Sequence, residues 1–186
     1  MRTTTGDLKR FCSIDCGRSI GLQPYYLPDR LIAFATDCRI FVAEKNVTSC
    51  EYAVLEDART KERDYVLSLI DAKLPEKMSH KLDIKRLRRF SGPPEWRESC
   101  PACDREEAPR LDPCLFAGRA VNRDYLAKVA SLMWDGEADL YLPKELKKPI
   151  LIDNDTFRVA LMPLAETVQT DEYTADLPSF EPRRKS

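Results

Sequence analysis

Two stretches, Val121-Asn-Arg-Asp-Tyr-Leu126 and Phe157-Arg-Val-Ala-Leu-Met-Pro-Leu164, decide how this chain is read. Residues 116–121 have the composition of a strand. Asn122 can cap a helix by accepting a backbone N–H, and Gly136 can end it in a left-handed conformation. Between them Tyr125, Leu126, Val129, Leu132 and Met133 recur at helical spacing and form an apolar stripe. Ala138, Leu140 and Leu142 then alternate with Asp139 and Tyr141, the pattern of a half-buried strand. A short strand follows at residues 149–153, and the polar turn Asp153-Asn-Asp-Thr156 leads into residues 157–162. The order is strand, helix, three strands.

Nearer the N-terminus, Leu31-Ile-Ala-Phe-Ala-Thr36 and Arg39-Ile-Phe-Val-Ala43 are β-rich runs separated by Asp37-Cys38, which predicts an antiparallel hairpin after a short element at residues 11–22. Residues 55–74 have helical character, with Leu55, Tyr65, Val66, Leu69 and Ile70 apolar and Pro75 at the exit. Pro93, Pro94, Pro101, Pro109 and Pro113 predict irregular backbone from Ser91 to Cys114, so residues 75–114 read as an insertion within a domain spanning 1–164. Residues 165–186 read as a mobile polar tail.

Three phrases resemble the bacterial DNA polymerase sliding clamp (beta clamp) superfamily. Ala35-Thr36-Asp37 resembles its Ala-Thr-Asp-Gly hairpin, with Cys38 in place of Gly. Residues 121–126 resemble the strand-to-helix entry of its last repeat, and residues 157–164 its closing strand. The resemblance implies an α+β, DNA-clamp-like fold of two strand-helix-three-strand halves with antiparallel sheets, plus an irregular Cys/Pro-rich insertion. It also implies a non-enzymatic role in protein interaction or as a DNA replication accessory factor, with DNA or a replication protein as partner. A clamp chain carries three such domains and this chain has room for one, so a ring would need a homo-oligomer of about six copies. Met162, Pro163 and Leu164 would match the edge of the family's groove for partner peptides. Clamps line their channel with basic helices. The helix expected here would turn Asp124, Lys128, Ser131 and Asp135 outward, with Arg123 beside them, leaving Arg123 and Lys128 as its candidate DNA contacts.

Lys plus Arg number 30 against 31 Asp plus Glu, a formal charge of −1, so any attraction for nucleic acid must come from a local patch. That patch is residues 81–90, Lys81-Leu-Asp-Ile-Lys-Arg-Leu-Arg-Arg-Phe90, where Lys81, Lys85, Arg86, Arg88 and Arg89 are candidate phosphate contacts. The alternative is a solvated helix face with Leu82, Leu87 and Phe90 turned inward. No run is long and apolar enough to span a bilayer, and a cytoplasmic protein is expected.

Seven cysteines, an odd number, argue for reduced thiols or metal ligands over a disulfide framework. Cys100-Pro-Ala-Cys103 followed by Cys114 has the spacing to hold part of a tetrahedral Zn(II), with His80, Cys50, Asp104 or Asp112 as a fourth ligand. Zinc would order a segment too poor in apolar residues to order itself. The alternative is a set of ordinary reduced cysteines. This defines a second expectation, a zinc-stabilised nucleic-acid-binding module using residues 80–114. No nucleotide-cradling Gly-rich loop is present, and the single histidine, His80, lies in a polar stretch away from any nucleophile-like turn. No catalytic residue is assigned.

Overall fold

The computed structural model describes residues 7–12, 21–55, 60–72, 79–94, 99–100, 105–106, 112–134, 136–164 and 179–180. It is a mixed α and β protein whose chain divides into two compact units. The first takes residues 1–73, 96–108 and 155–160, and the second takes the rest.

In the first unit a 3-10 turn, Leu8–Phe11, precedes β1 (Tyr25–Leu27), β2 (Ile32–Thr36), β3 (Ile40–Glu44), β4 (Ala53–Val54) and helix α1 (Thr60–Ile70). The β2–β3 hairpin is the one expected: the strands pair antiparallel with Phe34 opposite Ala43. β1 joins β2 antiparallel, and β4 joins β1 in parallel. Every residue of β2 and β3 is buried, which explains why both read as unbroken apolar runs rather than alternating ones. Phe34 is the centre of this core, stacked on Tyr25 at 5.8 Å and tilted against Phe41 at 5.7 Å between ring centroids.

Cys38 stands in the hairpin turn with φ 70°, the left-handed region that the missing Gly would adopt freely. The turn is held by polar contacts instead. Asp37 Oδ1 accepts the N–H groups of Arg39 and Ile40, at 2.9 and 2.8 Å, and Thr36 Oγ1 accepts that of Cys38 at 3.0 Å. A left-handed non-glycine residue costs about 1–2 kcal/mol, whereas glycine's extra unfolded-state entropy costs about 0.5–1 kcal/mol. Cys38→Gly is therefore expected to stabilise the protein by about 0.5 kcal/mol, measured by urea unfolding; a loss of stability would contradict the strain.

The short strands β6 (Ser99–Cys100) and β7 (Arg105–Glu106) pair antiparallel. In the second unit, β5 (Ser79–Asp83) runs directly into helix α2 (Ile84–Ser91). The hairpin β8 (Pro113–Phe116) and β9 (Arg119–Asn122) then feeds helix α3 (Arg123–Leu132), followed by β10 (Glu137–Tyr141) and β11 (Ile150–Asp153). Strand β12 (Phe157–Leu161) falls almost wholly in the first unit, and β13 (Ser179–Phe180) lies parallel to β8. β10 pairs antiparallel with both β11 and β5.

The first half does not have the expected strand, helix, three-strand order, since β1 to β4 all precede α1; the second keeps it, with three differences. Residues 116–121 are not one strand: Ala117 and Gly118 both have positive φ (50° and 76°) and make a two-residue hairpin turn. Helix α3 exits through Trp134 in the left-handed conformation (φ 59°) rather than Gly136. Gly136, with φ 89°, instead opens β10, and its carbonyl accepts the Ile84 N–H at 3.0 Å. Regular structure also extends into the range read as insertion. Residues 79–91 supply β5 and α2, and α2 packs on α3. The prolines concentrate after this stretch, whereas Leu82, Ile84 and Leu87 give it an apolar side to bury.

Candidate nucleic-acid interface

Helix α2 is amphipathic, and its two sides are set residue by residue. Asp83 caps its start, Oδ1 accepting the Arg86 N–H at 3.0 Å. Gly92, with φ 75°, ends it, its N–H donating to the Arg88 carbonyl. Ile84, Leu87 and Ser91 are buried, with Ser91 Oγ donating to the Leu87 carbonyl at 2.9 Å. At 3.6 residues per turn the opposite side carries Lys85, Arg86 and Arg89, all exposed. Arg88 and Phe90 lie on the two flanks between these sides, each half-buried.

Both flanks are fixed by contacts to the α3 region. On one, Arg88 Nη2 donates to the carbonyl of Ala130 at 2.8 Å and to that of Trp134, and its guanidinium stands 5.2 Å from the centre of the Trp134 ring. Trp134 is 71% exposed. On the other flank, the Arg123 guanidinium lies 5.6 Å from the Phe90 ring centre and Nε pairs with Asp112 at 3.1 Å.

The seven predicted nucleic-acid contacts therefore separate. Lys85, Arg86 and Arg89 form an exposed basic ridge. Arg88 and Arg123 brace the flanks. Lys81 is directly opposite Asp139 across β5 and β10 and pairs with it at 2.9 Å, which raises its pKa. Lys128 is not outward, correcting the expectation: it is buried beside Asp124 at 3.4 Å. Six consecutive residues of α3, from Tyr125 to Ala130, are buried, Lys128 among them. The helix expected to face DNA packs against the helix that carries the charge. Sequence reading singles out Met133 and Gly136 around the end of α3 but passes over Trp134, a bulky aromatic at the point where an apolar stripe stops.

Cys114 is fully buried in β8, and burial pushes its thiol up from 9.0 to about 12. The Cys100 side chain and Cys103 lie outside the described residues, and among the described residues no three His, Cys, Asp or Glu groups gather as a metal site. Of the other candidate ligands, Asp112 is engaged by Arg123 and His80 sits opposite Leu140 in the sheet. Zinc at Cys100, Cys103 and Cys114 rests on spacing alone. A buried protonated thiol predicts that Cys114 resists alkylation in the native protein while half-buried Cys38 reacts. Because the folded thiol holds its proton more tightly, its contribution to stability is complete below pH 9 and declines as pH rises toward about 12. Cys114→Ala is expected to flatten that decline in a pH series of unfolding curves, and an unchanged slope would refute the assignment.

Met162, Pro163 and Leu164 are half-buried beyond the end of β12, with the Leu164 N–H donating to the Ala120 carbonyl at 2.9 Å. No helix among the described residues is long and apolar enough to cross a membrane.

No family model matches the chain, and no curated protein matches it. Among solved structures, it is similar to DNA polymerase III subunit beta from Borrelia burgdorferi in complex with a natural product. The likeness has a TM-score of 0.45 and 11% identity, covering 85% of this chain and 61% of that one. This chain thus matches about three fifths of that protein's length. A likeness at this level does not bear on what the chain does.

Proposed function

We propose that this protein is a non-enzymatic, clamp-like binding module that engages nucleic acid through the outer side of α2, as a replication accessory factor. The single observation carrying the binding reading is the ridge of Lys85, Arg86 and Arg89. On a chain of net charge −1 it sets three exposed cations on one side of one capped helix. Support for the clamp-like plan comes from where the resembling phrases fall. Ala35-Thr36-Asp37 enters the β2–β3 turn, residues 121–126 run from β9 into α3, and residues 157–161 form β12. A partner-peptide contact at Met162, Pro163 and Leu164 belongs to the same reading, as does assembly of several copies.

Binding of a fluorescent oligonucleotide, followed by anisotropy across a salt series, tests it. Three phosphate contacts predict a slope of log affinity against log salt of about −2.7 on a duplex and about −2.1 on a single strand. Salt-independent binding, or none at low salt, would refute the reading.

A further inference from the structure

Trp134 is out of place for a structural residue. It is 71% exposed, so its ring adds little to any core, and it occupies a left-handed conformation (φ 59°) where a glycine would be less strained. Yet it is firmly held. Arg88 fixes the Trp134 carbonyl and stands over the ring from the flank of α2 that borders Lys85 and Arg89. An open aromatic surface is thereby set beside a row of cations, with the remainder of the ring accessible.

We infer that Trp134 is a stacking platform for an unpaired nucleobase, so that the α2 face takes single-stranded nucleic acid in preference to duplex. This rests on the nucleic-acid reading of α2 and specifies its ligand. The bases of a duplex are already stacked on one another and offer an exposed ring nothing to cover. A single strand offers both groups this surface suits, a phosphate backbone for Lys85, Arg86 and Arg89 and free base faces for Trp134. Arg88 contributes by positioning the ring, its Nη2 being directed to the Ala130 and Trp134 carbonyls.

The chain has two tryptophans, so Trp96→Phe isolates the Trp134 signal. In that background, titration with oligothymidylate is expected to quench tryptophan fluorescence, and a duplex of equal length to do so far less. Trp134→Gly is expected to bind oligothymidylate about tenfold or more weakly, the loss of one stacked base. It should melt no lower than the parent, because glycine accepts the left-handed backbone, and Trp134→Phe should keep most of the affinity. Equal binding by the parent and Trp134→Gly, with Lys85, Arg86 and Arg89 still required, would overturn the platform and leave the α2 reading intact. Absence of binding to either oligonucleotide at low salt would overturn both.

Discussion

The variant Lys85→Glu/Arg86→Glu/Arg89→Glu is expected to bind oligonucleotide about a hundredfold more weakly than the unmodified protein while remaining folded. Each exposed cation facing a phosphate contributes about 1 kcal/mol, and three together make about 3 kcal/mol, or two orders of magnitude in affinity. Reversing charge rather than removing it adds repulsion. Stability should hardly change, because the three side chains are exposed and the helix-dipole effects offset each other. α2 has no acidic residue in its first turn, so Glu at position 85 is favourable there, whereas Glu at 89 is unfavourable in the last turn. Anisotropy at one fixed salt concentration and a thermal melt read the two quantities separately. Undiminished affinity in a folded variant would remove α2 from the binding surface.

The second large effect concerns the other side of the same helix. Leu87 is completely buried, and α2 packs on α3. Leu87→Ala is expected to cost about 2–5 kcal/mol through lost apolar burial and the cavity left behind. In a chain of this size that lowers the melting temperature by about 10 °C. Lys85→Ala, on the opposite side of the helix, should leave it within a degree or two. A silent Leu87→Ala would mean that α2 is not docked. The ridge would then have no fixed flanks, and the Arg88 and Arg123 contacts would lose their meaning.

How far the fold was legible depended on whether each signal was local. The β2–β3 hairpin followed from two apolar runs with a polar break between them. Asn122 was recognisable as a cap, its side chain accepting the Asp124 N–H, because capping needs only neighbouring residues. Leu140 and its alternating neighbours were legible for the same reason. The failures were tertiary. Lys128 has the spacing of an outward residue, yet it is buried beside Asp124 in a helix whose residues 125–130 are all buried. The helical side of residues 84–91 was visible as an alternative, but a run of prolines downstream made the surrounding segment look irregular as a whole.

The candidate site was legible in part. Lys85, Arg86 and Arg89 were recognisable as charge. Their separation from Lys81, Arg88 and Arg123 was not, since it depends on partners distant in sequence: Asp139, Trp134, Asp112 and Phe90. Trp134 is not legible in the sequence because its significance lies in exposure and in a backbone angle, and neither is written in residue order.

The most direct measurement is backbone amide chemical-shift mapping of the isotopically labelled protein as oligothymidylate is added at low salt. Perturbations centred on residues 83–92 and on Trp134, fading as salt is raised, are the predicted result. Shifts confined to residues 162–164 or to the β2–β3 hairpin, with α2 silent, would contradict a binding surface on α2.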